Sequence, residues 1–459
     1  MMKKQIMILA AAGLLFGSCG IYTKYKPATE VPENLYGAAA DTIPEDSLNL
    51  GLGGMDWHEL FTDPQLQALI EQGFRVNTDY LSAQLKIEEA QATLLSSKLA
   101  FLPSFALSPE GTVSSFDKQK ASQAYSLPVA ASWELDLFGK MRNSKKQAQA
   151  LLAQSRDYQQ AVRTQLIGSI ANTYYTLLML DQQLAISRQT EQAWKETVAS
   201  TRALMAAGQS NESAVAQMEA TYYNVQSSVL DLEEQINQTE NSLALLLAET
   251  PRHYERGALA GQQFPADFSI GISVRMLSCR PDVRSAERTL EAAFYGTNAA
   301  RSAFYPSITL SGSAGWTNSA GSAIINPGNF LASAVASLTQ PLFARGQLVG
   351  QLKIARAQQE EAALAFQQSL LNAGSEVNDA LTALQTSRAK SGLMDKQVAS
   401  LQTALRSTSL LMEHSTTTYL EVLTARQSLL TAQLSQVSNR FTEIQSLISL
   451  YQSLGGGQE

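Results

Sequence analysis

Side chains that commonly do chemistry are few and scattered in this sequence of 459 residues. The three histidines, His58, His253 and His414, lie far apart, and the two cysteines, Cys19 and Cys279, form no Cys-x-x-Cys pair. The sequence contains no His-x-x-x-His pair and no glycine-rich phosphate loop. Spacing alone leaves sites built from Asp, Glu or Ser open, but no pattern requires one. The sequence therefore predicts a protein that is not an enzyme, with no cofactor and no bound metal.

The N-terminus has the pattern of an export signal. Two lysines precede an apolar run that ends at Phe16 and is far shorter than the roughly 20 apolar residues of a membrane-spanning helix. Residues 15–19, Leu-Phe-Gly-Ser-Cys, resemble a bacterial lipobox, although Phe16 stands where Leu is usual. We predict a lipoprotein signal peptide over 1–18 and covalent lipid such as palmitate on Cys19. The alternative is an ordinary signal followed by a chance cysteine.

The composition narrows the classes of partner. The net charge is −7, and charged residues make up only 16% of the chain, below the usual quarter. A nucleic-acid partner would require a basic stripe, so none is expected. With Cys19 acylated, Cys279 has no partner for an internal disulfide, and stability must come from packing and assembly.

The sequence is duplicated over nearly its whole length. Residues 101–104, Phe-Leu-Pro-Ser, return as Phe-Tyr-Pro-Ser at 304–307, an offset of 203 (304 − 101). The offset grows to 207 between Val215 and Val422 (422 − 215), so the copies differ only by small insertions. A period this long excludes a solenoid of short repeats, whose units have about 20–50 residues. It indicates a duplicated half-molecule.

Each half contains a long helical hairpin. Asp63-Pro64 predicts the start of a helix that runs on towards Phe101. Residues 140–206 contain no proline and a single glycine, so the next helix would reach about 90–100 Å. A break at 207–211 starts its partner helix, and the second copy repeats this plan. We divide the chain into a signal peptide (1–18), a lipidated tether (19–62), a first repeat (63–250), an inter-repeat segment (251–278), a second repeat (279–454) and a flexible tail (455–459).

Segments of alternating apolar and polar residues follow each Phe-x-Pro-Ser sequence. The alternation is unbroken over 307–317 and clear in the segment that ends at Leu137, whereas the partner strands near 104–114 and 330–341 are less regular. A strand of about 9–11 residues, apolar on one side and polar on the other, is typical of an outer-membrane barrel. The alternative is a soluble hairpin packed on the helices.

Two tryptophans in these segments, Trp133 and Trp316, are candidate membrane-interface aromatics, or else core residues. Four strands cannot close a membrane barrel, whose minimum is about eight, and an open edge in lipid leaves backbone groups without partners. Several chains must therefore share one barrel. The long helices would continue it into the periplasm as a tube, packing like neighbours in a coiled coil.

Together these features resemble the outer-membrane efflux duct family, in particular the lipidated outer-membrane factors of tripartite RND-type multidrug pumps. The likeness covers nearly all of the mature chain and includes Arg-Pro-Asp-Val at 280–283, Phe-Tyr-Pro-Ser-Ile-Thr-Leu at 304–310 and Tyr-Leu-Glu-Val-Leu at 419–423. It implies a mainly α fold with a small β part. In that fold, duplicated long helical hairpins form a trimeric α-barrel tunnel, and four strands per chain enter a shared twelve-stranded transmembrane β-barrel.

The resemblance also implies a location, partners and a function. The expected homotrimer is anchored by lipid in the bacterial outer membrane, extends far into the periplasm, and contacts a periplasmic adaptor (membrane fusion protein) and an inner-membrane RND-type transporter. It would passively conduct drugs or other small molecules to the exterior through a gated, porin-like channel, as in antibiotic resistance. The sequence does not determine which substrates pass or which pump it serves. The alternative is a structural coiled-coil lipoprotein that tethers the outer membrane, although matched alternating segments have no use in a tether.

The resemblance assigns two groups of site residues. The channel constriction falls at Leu420, Glu421 and Thr424, and the last of these is uncharged where some members carry aspartate. Three copies of Glu421 would form a carboxylate ring that attracts cations, unless Glu421 is simply a solvated acid in a first helical turn. Ala214 takes the place of Glu421 in the first copy, so we expect the second copy to form the gate. The periplasmic tip, where the adaptor would bind, comprises Gly208, Gln209, Ser210, Asn211, Ser415, Thr416 and Thr417.

Overall fold

The computed structural model describes residues 22, 24–26, 54–115, 117, 121–264, 279–317, 329–413 and 419–457. The predicted signal peptide, Cys19 and most of the tether lie outside the described residues, as do 265–278 of the inter-repeat segment and 414–418.

Long helices dominate the described part of the chain, and none of those helices is long and apolar enough to cross a membrane. The elements are α1 (Trp57–Leu60), α2 (Pro64–Val76), α3 (Thr78–Leu99), β1 (Ser104–Leu107), β2 (Glu110–Ser114), β3 (Ser122–Leu135), α4 (Lys140–Ala206), α5 (Glu212–Leu246), a 3₁₀ turn (Leu259–Gly261), α6 (Pro281–Ser302), β4 (Ser307–Thr317), β5 (Asn329–Thr339), α7 (Gln347–Glu413) and α8 (Tyr419–Ser453).

The two copies agree in helix length. Helices α3 and α6 each have 22 residues, α4 and α7 each have 67, and α5 and α8 each have 35. The starts of α3 and α6 are offset by 203 (281 − 78), whereas the starts of the other two pairs are offset by 207 (347 − 140 and 419 − 212). The additional four residues of the second copy therefore fall in the strands and their connections, and none falls in the long helices.

The chain folds into two compact units. The first comprises the described residues within 1–30, 85–156 and 285–368, and the second comprises those within 31–84, 157–284 and 369–459. The first unit contains the β-sheet. The second contains the tip-proximal parts of the four long helices, where the tip means the turn at 207–211 and the connection between α7 and α8.

The strands form one antiparallel sheet in the order β1-β3-β4-β5, with β2 also paired to β3. Because β1 and β2 share one neighbour, five strands occupy the four positions that the sequence predicts. The interruption lies at Ser108 and Pro109, and proline has no N–H to donate to the ladder. The Ser108 N–H still donates to the Pro128 carbonyl at 3.2 Å, so the first arm continues past the break.

Side-chain hydrogen bonds set the order of the four long helices in the second unit. Helix α5 binds α4, α4 binds α8, and α8 binds α7, which gives a row α5-α4-α8-α7. The bonds are Arg188 to Glu233 and Arg202 to Glu219 between α4 and α5, Gln183 to Ser438 between α4 and α8, and Asn439 to Ser387 and Gln436 to Asp395 between α8 and α7. Apolar packing in the middle of the row comes from Trp194, Val198, Met218, Val225 and Leu430.

Asn77 interrupts the single helix that the sequence predicts from Pro64 towards Phe101. Its backbone is extended (φ −64°, ψ 125°), and its Oδ1 accepts from the Tyr80 N–H at 2.9 Å, as an N-cap does. Its Nδ2 donates to the Leu246 carbonyl at the end of α5, at 2.9 Å. The chain therefore forms two helices, because the buried amide caps one helix and binds another.

The C-terminal glycines also differ from expectation. The sequence predicts a flexible tail over 455–459, but the structure buries Gly455, Gly456 and Gly457. The Thr164 hydroxyl donates to the Gly456 carbonyl at 2.9 Å, and Gln160 donates to the Gly457 carbonyl at 2.7 Å. Residues without a side chain fit this close approach to α4, and the described part of the tail is an ordered part of the fold.

Candidate tip, gate and membrane-facing surface

The first tip turn brings together four predicted residues, 208–211. The Gly208 N–H donates to the Met205 carbonyl at 3.0 Å and the Gln209 N–H to the Leu204 carbonyl at 2.8 Å, which is a Schellman motif. Gly208 has φ +74° and open space around it, so this position requires glycine for its backbone conformation alone.

Asn211 starts the return helix. Its side chain accepts from the Ala214 N–H at 2.9 Å, and Glu212 follows in the first turn, where a negative charge is favourable. The turn is therefore closed by its own hydrogen bonds. Its counterparts Ser415, Thr416 and Thr417 lie outside the described residues. The structure shows a closed turn at 208–211, and the role of both turns as a periplasmic tip stays a prediction.

The three candidate gate residues share one exposed side of α8. Leu420, Glu421 and Thr424 are exposed, whereas Val422 between them is buried. The Thr424 hydroxyl donates to the Leu420 carbonyl at 2.8 Å, so it is already satisfied within the helix. The exposed stripe continues at helical spacing with uncharged polar side chains: Ser428, Thr431, Ser435, Thr442 and Gln445.

Arg426 is a gate-proximal residue that the sequence interpretation missed. It donates to the Ala193 carbonyl at 2.9 Å and to the Thr197 hydroxyl at 2.7 Å, and its guanidinium lies over the Trp194 ring, 5.4 Å from the centroid. Burial lowers the pKa of Arg426 below its ordinary value, and Glu196 offsets this only in part. A signal was present, because Val422, Arg426 and Leu430 are four residues apart and therefore share a helix face.

The sheet has one apolar face across all its strands. The register pairs Trp133 with Leu310 and Leu127 with Trp316, so both tryptophans lie on this face, six residues apart along β4 (316 − 310). At about 3.4 Å per residue they are roughly 20 Å apart along the strand. The face carries Phe105, Leu107, Val113, Leu127, Val129, Trp133, Leu135, Ile308, Leu310, Trp316, Phe330 and Leu338.

Most of these apolar side chains are exposed. Phe105 is 71% exposed, Leu338 67% and Trp316 47%, which excludes a sheet face packed on the helices of the first unit. The Trp133 indole N–H donates to the Phe101 carbonyl at 2.9 Å. Serine and threonine are frequent on the opposite face, where Ser313 and Ser333 are hydrogen-bonded at 2.8 Å.

A short N-terminal segment is seated in the first unit. The Tyr22 hydroxyl donates to the Phe138 carbonyl at 2.7 Å and lies 2.7 Å from the Ser302 hydroxyl. The Tyr25 ring packs on Phe294 at 5.6 Å. Tyr22, three residues after Cys19, therefore has a fixed position beside the turn between β3 and α4.

The residue types that could do chemistry are not brought together in the described residues. His58 and His253 each bind a nearby carboxylate, Asp56 and Glu240, while Cys279 is half-buried and His414 lies outside the described range. No group of three or more His, Cys, Asp or Glu side chains is placed to hold a metal ion within the described ranges. A cavity of about 690 Å³ in the second unit is lined by eight uncharged polar residues, four apolar residues and four charged ones, Arg280, Asp282, Glu376 and Asp379.

Known proteins share this plan of elements. Residues 69–249 and 272–456 match the outer membrane efflux protein family. The chain belongs to that family. Its members are transport proteins of the outer membrane, and the prediction of an outer-membrane efflux component is thereby confirmed.

Similar proteins match the chain over all or nearly all of its length. The cation efflux system protein CusC of Escherichia coli K12 is 29% identical over 455 residues, 97% of each chain. The probable outer membrane lipoprotein SilC of Salmonella typhimurium is 26% identical and covers 100% of this chain and 99% of its own.

Solved structures of the family have the same fold. A crystal structure of CusC superposes with a TM-score of 0.83 at 26% identity and covers 96% of this chain and 100% of its own. The open state of the Neisseria gonorrhoeae outer membrane channel MtrE gives 0.84 at 27% identity and covers 95% and 98%.

Proposed function

We propose that three copies of this chain form a gated duct in the outer membrane, through which a tripartite pump exports small molecules. The observation that carries the proposal is the sheet, whose apolar face is exposed across all four strand positions while the other face is mostly polar. Such a sheet suits lipid on one side and water on the other. The two tryptophans, roughly 20 Å apart along it, suit the two interfaces of a membrane.

The sheet also supports the proposal that three chains assemble. Within the described residues its edges are β1 with β2 on one side and β5 on the other, and exposed edges in lipid leave backbone groups unpaired. Four strand positions are too few for a membrane barrel, whereas three copies supply twelve. A trimer is therefore the assembly proposed here.

The exposed stripe of α8 supports a polar conduit. From Thr424 onwards it carries serine, threonine and glutamine, which present hydrogen-bonding groups without a fixed charge. Glu421 is the acid of this stripe at the tip end of α8. In a trimer, three Leu420 side chains and three Glu421 carboxylates would narrow the duct and give it a preference for cations.

The fixed position of Tyr22 supports an N-terminus that is anchored to the membrane by lipid. A lipid on Cys19 would start three residues from a side chain that is fixed beside the foot of the sheet. The acyl chains would thus enter the same membrane as the apolar sheet face. The tip turns, at the other ends of α4 and α7, are left to contact the adaptor and, through it, an RND-type transporter.

Proteins similar to this chain carry cargo of several chemical classes. Relatives of similar identity serve cation efflux, pyoverdine export in Pseudomonas putida and toluene efflux in the same species. A stripe of uncharged polar side chains discriminates little between molecules of different chemistry. We therefore assign the choice of substrate to the pump.

Planar-bilayer recordings on the purified trimer test the proposal. We expect Leu420→Ala and Glu421→Ala to raise single-channel conductance several-fold, because each removes three side chains from the narrowest ring. In cells, the same variants should admit large antibiotics. Matched controls are Ser213→Ala and Gln217→Ala, the first-copy counterparts of Leu420 and Thr424, which should leave conductance unchanged.

Two outcomes count against different parts of the proposal. A wild-type protein that fractionates as a monomer and forms no channel rejects the duct. A conducting wild-type trimer with unchanged conductance in both gate variants rejects only the assignment of the gate.

A further inference from the structure

One end of the sheet, which we call the foot, connects the strands to the helices of the first unit. The register brings the start of β1 close to the end of β3, pairs the end of β3 with the start of β4, and pairs the start of β4 with the end of β5. Four short stretches of chain leave the sheet at the foot, and all belong to the first unit. They are residues 98–103, 136–146, 301–306 and 340–346.

The foot is strongly basic, although the net charge of the chain is −7. The four stretches contain seven lysines and arginines and one acid, Asp136, which gives a net charge of +6 (7 − 1). The five strands contain two acids, Glu110 and Glu134, and no lysine or arginine. Positive charge is therefore concentrated just beyond the ends of the strands. We call the seven bases the basic belt: Lys98, Lys140, Arg142, Lys145, Lys146, Arg301 and Arg345.

Members of the basic belt recur at one distance from the sheet. A base stands five or six residues outside each of the four strand positions at the foot. These bases are Lys98 before β1 (104 − 98 = 6), Lys140 after β3 (140 − 135 = 5), Arg301 before β4 (307 − 301 = 6) and Arg345 after β5 (345 − 339 = 6). Both copies of the duplicated chain thus place a base at each end of their strands.

Most of this positive charge is not neutralised within the chain. Lys140 binds Glu134 at 3.0 Å, and Arg142 binds Asp136 at 3.2 Å. The other five members of the basic belt form no ion pair with any residue that the structure describes. Three of these five are exposed: Lys98, Lys146 and Arg345. A surface with such an excess of one charge attracts anions from outside the chain.

The basic belt adjoins the apolar face of the sheet at Trp133. The Trp133 indole N–H donates to the Phe101 carbonyl at 2.9 Å, and the Lys145 ammonium lies over the Phe101 ring, 5.9 Å from its centroid. Lys98 is three residues before Phe101 and accepts its N–H at 3.4 Å through the backbone carbonyl. Apolar and basic side chains therefore meet across one aromatic ring. Such a change from apolar to basic side chains is typical of the boundary between hydrocarbon and lipid headgroups.

Tyr22 connects the basic belt to the proposed lipid anchor. Its hydroxyl lies 2.7 Å from the hydroxyl of Ser302, the residue that follows Arg301. A lipid on Cys19 would start three residues before Tyr22. Its acyl chains would therefore hold the basic belt at the membrane surface.

We infer that the basic belt binds the phosphate groups of anionic phospholipids in the leaflet that faces the long helices. Lysine and arginine at a membrane surface attract anionic headgroups, and arginine can bind a phosphate through two N–H groups. Lipid surrounds a membrane barrel, which suits a base at every strand position, whereas a protein partner would contact one sector. The inference rests on the proposed duct and adds the class of lipid that the foot selects.

Quenching of tryptophan fluorescence by brominated lipid tests the inference at Trp133. Trp57 and Trp194 are buried, so Trp316→Phe leaves Trp133 as the tryptophan that faces lipid. The purified trimer is reconstituted in vesicles of phosphatidylcholine and phosphatidylglycerol, with bromine on one lipid or on the other. We expect phosphatidylglycerol to be enriched several-fold beside Trp133 relative to its share of the vesicle.

A fivefold variant removes the charges that have no ion pair, by replacing each of those five bases with Gln. The enrichment at Trp133 should then disappear. In a Trp133→Phe chain, where Trp316 reports the other end of the sheet, the same five substitutions should leave the quenching unchanged. This comparison separates the foot from the rest of the membrane-facing surface.

A double variant, Lys98→Gln with Arg345→Gln, changes only exposed side chains and should lower the enrichment without affecting assembly. Its matched control is Lys390→Gln with Lys396→Gln, which also removes two exposed bases. These two lie 43 and 49 residues into α7 (390 − 347 and 396 − 347), roughly 65–75 Å from its start at 1.5 Å per residue. The control should keep the full enrichment.

Salt and inorganic phosphate distinguish a lipid headgroup from a free anion. High sodium chloride should reduce the enrichment, because exposed charges are screened. Inorganic phosphate at the same ionic strength should reduce it no further. A stronger reduction by phosphate would indicate a site for the free anion and would overturn the inference.

Equal quenching by the two brominated lipids at Trp133 in a conducting trimer would also overturn the inference, and the duct proposal would stand. The same holds for an enrichment that persists in both the double and the fivefold variant, because charges elsewhere would then select the lipid. A wild-type protein that forms no trimer and does not insert into vesicles rejects the proposed function together with the inference.

Discussion

The two copies contain helices of equal length but join them by different hydrogen bonds, at the start of α3 in the first copy and at the start of α6 in the second. In the first copy, the neutral amide of Asn77 donates to the Leu246 carbonyl at the end of α5. In the second, Arg280 stands at the equivalent position (280 − 77 = 203) and donates to the Ser453 carbonyl at the end of α8 at 2.8 Å. The same junction is thus made once by an amide and once by a guanidinium.

The charged version brings in further partners. Arg280 also binds Asp282 at 2.7 Å and Glu376 at 2.6 Å, whereas the partners of the Asn77 side chain among the described residues are backbone groups. Burial opposes the charge on Arg280, but these carboxylates outweigh it and raise its pKa above the ordinary value. The duplicated backbone therefore needs a donor at this position, and the second copy adds an ion-pair network to it.

The copies also differ at the tip. Ala214 is 1% exposed, whereas its counterpart Glu421 is exposed, and Glu219 pairs with Arg202 where the second copy has the half-buried Arg426. In the first copy, two charged groups near this turn therefore pair with each other. The second exposes polar groups beside a cation that no carboxylate of the described residues pairs with.

Replacing Arg280 by Met should have the largest effect on this comparison. The variant keeps volume but leaves the Ser453 carbonyl and two carboxylates without their donor, so we expect the free energy of unfolding to fall by about 2–3 kcal/mol. Thermal unfolding followed by helical circular dichroism measures it. An unchanged midpoint would show that the ion pairs add nothing to the junction.

Replacing Asn77 by Ala should cost about 1–2 kcal/mol, because it removes a helix cap and leaves the Leu246 carbonyl unpaired. Asn77→Ser keeps a capping oxygen and loses the amide donor to the Leu246 carbonyl, so it should retain part of that stability. If Asn77→Ala proves more costly than Arg280→Met, the neutral junction is the stronger one and the comparison is reversed.

Replacing Gly208 by Ala should cost about 1 kcal/mol, because φ is +74° and a Cβ is unfavourable there. The matched control is Gly350→Ala in helix α7, which has open space around it and should raise stability by about 0.5–1 kcal/mol. Equal shifts of the unfolding midpoint in the two variants would contradict a requirement specific to the turn.

Replacing Arg426 by Met should change stability by less than about 1 kcal/mol, because the lost hydrogen bonds to α4 are offset by removal of a half-buried cation that forms no ion pair with a carboxylate of the described residues. The same thermal assay gives the comparison with Arg280→Met. A loss as large as that at Arg280 would show that the two arginines stabilise their surroundings equally.

The sequence predicted the duplication, the long hairpins, the strand-bearing segments and the family, since each depends on spacing along the chain. It missed the break at Asn77, because an amide within an otherwise helical pattern reveals its role only when the Leu246 carbonyl is placed against it. It misread 455–457 as a tail, because a run of glycines fits both a flexible end and a close approach to a neighbouring helix. Asn77 was a recognisable cap, whereas the glycine run gave no sign of its partner on α4.

Local backbone and side-chain preferences specify which residues of this chain can lie in helices, which segments alternate, and where glycine or asparagine must end or start a helix. The apolar face of the irregular strands is specified only in the folded chain, because it depends on register with a neighbouring strand. The same holds for the order α5-α4-α8-α7. Both features depend on contacts between residues far apart in the chain, and no local pattern specifies them.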